Sequence, residues 1–249
     1  MELKRKKFQG VLNILSFNRH FYVIGLIVML LLFLSKILIE WNDILFWGVI
    51  IAFVYGLITP LLISAYVYDF SRYYSFEWLK KLDIATETNQ KIVNINAGFD
   101  ETSFIIKNKI PNSNLSVFDF YNPDKHTEAA IVRARKVSLI YPDTKQIKSS
   151  DIPLEDNTVD IVFLLSAAHE IRSNKEKVVF LKECKRIVKN NGQVILVEHL
   201  RDLPNFLAFS VGFTHFFSKR TWIKAFKDAD FKNFTEHKFT PFMSVLKFN

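Results

Sequence analysis

Residues 91–104 read KIVNINAGFDETSF. Ile92, Val93 and Ile95 open a strand, Ala97-Gly98 breaks it, and Asp100, Glu101, Thr102 and Ser103 offer a helix start. A strand, a tight turn and a helix in that order form the unit that holds nucleoside and dinucleotide cofactors. Its backbone N–H groups and helix N-terminus face the ligand. A dinucleotide fingerprint carries three glycines, and here Gly98 stands alone. A working cofactor loop, a remnant of one and an ordinary connection are all open readings of this stretch.

Strands and helices alternate downstream. A helix is expected over Glu101–Lys109, a strand over Leu115–Phe120, a helix over KHTEAAIVRARKV and a weak strand near Lys145–Lys148. VDIVFLL (Val159–Leu165) is a continuous apolar run, as a central parallel strand requires. Lys175–Lys189 has helical periodicity and is expected to stop at Asn190-Asn191-Gly192, a C-cap signal. QVILVEHL follows as a strand, and FKNFTEHKF and FMSVLKF, joined at Thr240-Pro241, predict a terminal antiparallel hairpin. This order implies an α/β fold, a doubly wound and mostly parallel sheet.

Four stretches give the pattern a family likeness: NINAGFD, FDF ending at Asp119, IPLEDNTVDIVF (Ile152–Phe163) and NGQVILVEH. Over about residues 90–249 the chain resembles the class I S-adenosylmethionine-dependent methyltransferases, in particular their quinone-biosynthesis-like type 11 branch. The resemblance implies a Rossmann-like domain with an antiparallel last hairpin, S-adenosylmethionine as cofactor and methyl transfer as activity. It places Asn94, Asn96, Ala97, Gly98, Phe99 and Asp100 at the cofactor turn. Asp119 falls where the family takes the ribose hydroxyls, Phe120 (with Tyr121) beside the adenine, and Ser166 at the end of the fourth strand. Asp119 lies 21 residues beyond Gly98, the interval of one strand–helix–strand step. The chain also departs from the pattern. Asn94 replaces an acidic residue, Asn96 and Asp100 replace glycines, and Lys148 stands where an acidic residue often reads adenine, with Ser149 and Asp151 as neighbouring substitutes. Asparagine tolerates a left-handed backbone best among non-glycine residues, so Asn96 is expected to make the turn in that conformation.

Methyl transfer from a sulfonium asks little acid–base work of the protein, which mainly aligns an acceptor with the methyl group. His169 and Glu170, in SAAHEI after the fourth strand, are candidates to orient or deprotonate that acceptor; capping a helix is their plainer role. His199 lies on the same edge, as a catalytic candidate or as a structural partner of Arg201 or Asp202. Asn205–Trp222 concentrates Phe206, Phe209, Phe213, Phe216 and Phe217 around His215. This stretch reads as core packing, as a helix dipping into a bilayer, or as an apolar cap in which Phe213 and His215 touch substrate. His20, His126 and His237 read as surface or boundary residues. Metal-ligand spacings, a nucleophile elbow and a Walker loop do not occur in the sequence, so no metal is expected and hydrolase readings have no support.

The N-terminal part differs in kind. Ile44–Tyr68 holds 25 residues without Asp, Glu, Lys or Arg, and Phe21–Ile39 is as apolar apart from Lys36. About 20 helical residues cross a hydrocarbon core, so both segments are long enough. Pro60 and Gly56 are compatible with membrane helices. The connection Glu40-Trp41-Asn42-Asp43 has no basic residue. Lys4, Arg5, Lys6, Lys7 and Arg19 precede the first span, and Arg72, Lys80 and Lys81 follow the second. The positive-inside rule therefore predicts a two-pass protein with its soluble domain in the cytoplasm. One cysteine, Cys184, allows no internal disulfide and no cysteine-based zinc site. The net charge of +8 shows no Arg/Lys stripe with interleaved aromatics, so nucleic acid is not an expected partner and an anionic lipid surface is.

The expected organisation is a basic segment and two-helix transmembrane anchor over 1–68, a juxtamembrane amphipathic helix and linker over 69–90, and a methyltransferase-like domain over 91–249. The expected partners are the bilayer and a membrane lipid or lipid-like substrate, a phospholipid amine or a quinone-like ring. The rival reading is a membrane-tethered scaffold that keeps the fold without catalysis. A nicotinamide oxidoreductase is disfavoured by the single glycine and the terminal hairpin.

Overall fold

The structure, a computed structural model, describes residues 5–82 and 89–249; Lys4 and linker positions 83–88 lie outside the described residues. An amphipathic helix α1 (Gln9–Phe17) that the sequence reading did not separate from the basic segment precedes α2 (Arg19–Leu38) and α3 (Asp43–Ser64). Asn42 caps α3 by accepting the amides of Ile44 at 3.0 Å and Leu45 at 3.2 Å. Across the hairpin Lys36 pairs with Asp43 and donates to the Trp41 carbonyl at 3.1 Å. Both are long and apolar enough to cross a membrane, with mean hydropathies of 2.5 for Arg19–Leu38 and 2.2 for the helical run Asp43–Ser75 that α3 opens. The rest of the protein leaves them bare: Ile37, Leu38 and Ile44 are 80%, 84% and 86% exposed.

The stretch 68–82, expected as one amphipathic helix, is broken. A π-helical turn (Ala65–Phe70), a 3-10 turn (Tyr73–Ser75) and the short α4 (Trp78–Lys81) follow one another. Arg72 and Phe76 take left-handed backbones at φ 63° and 58°, which no continuous helix accommodates. The bends turn Val67, Tyr73, Phe76, Trp78 and Leu79 onto one face of the sheet, where all five are buried.

The sheet contains β1 (Lys91–Asn96), β2 (Asn114–Asp119), β3 (Lys145–Gln146), β4 (Val159–Leu165), β5 (Val188–Glu198), β6 (Phe234–Thr240) and β7 (Met243–Phe248). Their order is β3-β2-β1-β4-β5-β7-β6, with β1 to β5 parallel and the final hairpin antiparallel. Side chains alternate between two cores, as strand geometry demands. Val93, Ile95, Val162, Leu164, Val194 and Leu196 pack under α6 (Ala129–Arg135), α7 (Asn174–Ile187) and α9 (Lys219–Asp228). Ile92, Ile161, Phe163, Ile195 and Val197 face the segment 65–82 and α5 (Ser103–Lys109).

Asn190-Asn191-Gly192 does not end α7. The helix stops at Ile187, and these residues belong to β5, at an irregularity in its pairing with β4. Between β5 and the terminal hairpin lie α8 (Leu203–Phe209), capped by Asp202, and a 3-10 turn (Ser210–His215). The strand order reverses between β1 and β4. The carboxyl ends of these two strands thus form the topological switch point, where open α/β sheets hold their ligands.

Candidate active site

β1 and β2 run in register from Lys91 against Asn114 to Asn96 against Asp119, so both turn residues and Asp119 reach the same edge. Asn96 stays extended as the last residue of β1, in contrast to the left-handed conformation expected of it. Its side chain makes the turn instead, with Oδ1 accepting the Gly98 amide at 2.7 Å. Gly98 takes φ 81°, the left-handed backbone. Asn94 lies below the turn and donates to Thr102 Oγ1 at 3.0 Å and Ser103 Oγ at 2.8 Å, pinning the start of α5. Asp100 Oδ1 accepts the amides of Thr102 and Ser103, each at 2.9 Å. Burial raises the Asp100 carboxyl above its ordinary value, against the opposing pull of these hydrogen bonds.

Arg135, at the end of α6, occupies the space beside this turn, and nothing in the sequence reading singled it out. Its guanidinium donates to Asp119 Oδ2 at 2.7 Å and to the Ala97 carbonyl at 3.1 Å, and lies 4.0 Å from the Tyr121 ring centroid. A β-carbon on Gly98 would collide with this guanidinium, so the open face of the glycine is covered by a side chain and not by backbone. Asp119 Oδ1 accepts the Tyr121 amide at 2.8 Å. Phe120 cannot lie against a ligand here. It is 1% exposed, packed between Phe180 and His126 on the core side, because successive strand residues alternate faces. Phe99 meets Phe17 of α1 edge to face at 5.2 Å.

The donor set tests whether a nucleoside cofactor fits. Asn94 Oδ1, Asn96 Nδ2 and Asp100 Oδ2 are buried without a protein partner among the described residues. Polar atoms left this way normally face a ligand or water. With Gly98 open-faced apart from a movable arginine, the residues fit S-adenosylmethionine once Arg135 swings aside. Ser149 Oγ, by contrast, donates to Glu176 at 2.6 Å, and the backbones of Lys148 and Asp151 pair in an isolated β-bridge.

The second half of the edge collects ionisable groups. Ser166, with φ 51°, follows β4 directly, its Oγ 3.4 Å from the Tyr73 hydroxyl. His169 and Glu170 follow in a 3-10 turn (Ala168–Glu170). Glu198, at the end of β5 and 2% exposed, accepts the His169 amide at 3.2 Å and holds its Nδ1 at 2.7 Å. Burial pulls the His169 imidazole down, but Glu198 and Glu170 outweigh it and raise it well above 6.5. The His215 ring lies 5.0 Å from that of His169, and its Nδ1 is 2.9 Å from Glu128. Phe213 packs on Phe206 within the cap at 5.0 Å.

His199 does not pair with Arg201 or Asp202. Its Nδ1 meets the Phe242 carbonyl at 2.8 Å and Asn205 Oδ1 at 3.2 Å, its Nε2 meets the Tyr68 hydroxyl at 2.9 Å, and Phe216 stacks on the ring. Burial lowers it to about 4, so a neutral imidazole joins the end of β5 to the segment after α3. His126 is buried as well, accepting the Asn122 amide on Nδ1 at 2.9 Å. Lys177 is fully buried beneath the cap, over Phe217, and burial lowers it to about 8.

The family described as "Methyltransferase domain" matches residues 117–196. Among curated proteins, the demethylmenaquinone methyltransferase of Thermotoga maritima is 24% identical over 149 residues. That match spans 59% of each chain. A SAM-dependent methyltransferase from Aquifex aeolicus superposes with a TM-score of 0.51 at 18% identity, covering 76% of this chain and 97% of that one. Human N-acetylserotonin methyltransferase, solved in complex with SAM, gives 0.50 at 12% identity, covering 78% and 55%. Residues 117–196 thus match a methyltransferase domain model, and the strand order with its reversed last hairpin is the fold of the solved S-adenosylmethionine-dependent methyltransferases that the chain resembles.

Proposed function

We propose that this chain transfers a methyl group from S-adenosylmethionine to a lipid-like acceptor while held in a membrane by α2 and α3. The observation that carries the reading is the register of β1 and β2, with Asn96 opposite Asp119 at the switch point. In this reading Gly98, Asn96 and Asp100 hold the methionine end, Asp119 the ribose and Tyr121 the adenine. The cofactor supplies an electrophilic methyl on a sulfonium. The chain aligns the acceptor beside Ser166 and His169 under the cap formed by α8 and the following turn.

Two features support a membrane-resident acceptor. The cap touches the apolar hairpin, with the Tyr55 hydroxyl of α3 donating to the Leu207 carbonyl at 2.5 Å. Its outer residues Leu203, Leu207 and Val211 are 68%, 51% and 82% exposed, continuing the bare apolar surface of α3 toward the site. The demethylmenaquinone substrate named for the Thermotoga relative is of the same chemical kind. The basic residues flanking α2 and α3 support a cytoplasmic side for the domain in this reading.

A second reading is favoured by one contact. Arg135 satisfies Asp119 internally, as a domain that has lost its cofactor would do. Calorimetry with S-adenosylmethionine on the detergent-solubilised protein and on Arg135→Ala separates the two. A ligand must displace a charge-assisted pair worth about 1.5–3 kcal/mol, so Arg135→Ala is expected to bind roughly tenfold more tightly or better. Absence of binding to either protein at millimolar cofactor leaves the scaffold reading in its place. For the acceptor, radiolabel from the methyl group is expected in the solvent-extractable fraction of membranes incubated with the protein.

A further inference from the structure

We propose that His169, Glu170 and His215 form a site for one divalent transition-metal ion at the acceptor side of the cleft. Ligand atoms of the three residues lie within 4.8 Å of one another, and His169 Nε2 is 3.4 Å from Glu170 Oε1. Two ligands each about 2.1 Å from a metal in tetrahedral geometry stand roughly 3.4 Å apart, so this edge is already at coordination distance. The third ligand arrives from the cap, 45 residues beyond Glu170, which is why no spacing rule finds the set in the sequence.

The surroundings of the three residues point to a cation. Each imidazole presents Nδ1 to a carboxylate: His169 to Glu198 at 2.7 Å, and His215 to Glu128 at 2.9 Å. A carboxylate on Nδ1 is the arrangement that orients metal-binding imidazoles with Nε2 toward the ion. Glu198 also takes the His169 amide, so this ring is held at two points. Independently, Glu170 is 93% buried, and its Oε2 has no partner among the described residues. A buried carboxylate oxygen without a donor is costly unless a cation meets it. Arg172 does not fill that role. It donates to the His215 carbonyl at 2.7 Å and the His169 carbonyl at 3.3 Å, and lies 3.7 Å from Glu128.

Two nitrogens and one oxygen suit Zn²⁺, Fe²⁺, Co²⁺ or Mn²⁺, and three protein ligands leave positions open for an oxygen of a bound molecule. The site needs no methyl donor, so its test is independent of the methyltransferase reading. The probe is Co²⁺ added to the full-length, tag-free protein in detergent, followed by visible absorption and competition with Zn²⁺. One equivalent is expected to give ligand-field bands, which Zn²⁺ abolishes. His215→Ala, at the half-exposed end of the cap, and Glu170→Gln are each expected to weaken binding at least tenfold, and Glu128→Gln 10–100-fold. Thermal unfolding of each variant without metal checks that it folds. His237→Ala, far from the cluster in sequence and on the terminal hairpin, is the matched control. Absence of bands at tenfold excess Co²⁺ overturns the site. So do bands that persist unchanged in folded His215→Ala and Glu170→Gln, because the metal then sits elsewhere.

Discussion

His199 shows how a residue on the carboxyl edge of the sheet takes a structural role through its neighbours. Two acceptors sit on Nδ1 and a hydroxyl on Nε2, so the ring folds neutral, lowered to about 4 by burial from an ordinary 6.5. The sign of the pH effect follows. The depressed group contributes stability that is complete above pH 6.5 and is lost as pH falls toward 4, because the unfolded chain takes the proton first. At about 1.4 kcal/mol per pH step this amounts to roughly 3 kcal/mol at pH 4. Urea unfolding of the wild type and His199→Gln at pH 7, 5.5 and 4 checks it. The variant is expected to start less stable and to lose less on acidification, whereas parallel losses would sink the assignment. Sequence placed His199 on the right edge but not in its role, since Tyr68, Asn205 and Phe242 reach it from three remote segments. Arg135 was missed for the same reason: a basic residue in a basic helix end carries no mark of the carboxylate it will meet.

At the scale of elements, the apolar strands were legible because burial on both faces leaves continuous runs such as VDIVFLL, and the terminal hairpin because Thr240-Pro241 divides two such runs. Gly192 was misread for a physical reason that can be tested. A β-carbon there would stand 2.9 Å from the carbonyl oxygens of Val159 and Asp160 and 2.7 Å from Val188 Cγ2. The glycine thus lets the bulged start of β5 lie against β4, a close-approach role that looks like a helix stop in sequence. Gly192→Ala is expected to cost about 1–3 kcal/mol by overpacking. That corresponds to a melting-point drop of roughly 2–4 °C per kcal/mol for a domain of this size, measured by scanning calorimetry. An unchanged melting point would return Gly192 to the status of an incidental turn residue. The segment 68–82 failed differently: its periodicity was real, but Arg72 and Phe76 bend the chain so that the same apolar residues cover a sheet instead of lining one helix.

In the whole molecule, the N-terminal segment ahead of α2 and the turn after β1 are joined through one carboxylate. Glu101, three residues beyond Gly98, accepts from Gln9 Nε2 at 2.9 Å, Asn13 Nδ2 at 3.2 Å and the Tyr74 hydroxyl at 2.6 Å, and pairs with Arg5 at 2.7 Å. α1 closes over the turn through Phe17 on Phe99, and Arg133 of α6 donates to the Phe17 carbonyl at 2.5 Å just before α2 begins. These contacts predict that a shift of α1 relative to the sheet reaches residues 97–101, and through α6 Arg135 on Asp119. Glu101→Ala cuts this junction and leaves Arg5, 14% exposed, without its nearest anion; breaking such a buried pair costs about 3–5 kcal/mol. Hydrogen exchange in detergent is expected to speed up together in residues 9–17 and 97–103 while the strands stay protected. Faster exchange confined to α1 would mean that the helix rests on the domain without controlling the turn. Joint opening, by contrast, would make the position of the hairpin in the bilayer a determinant of whether Gly98 and Asp119 are free to receive a ligand.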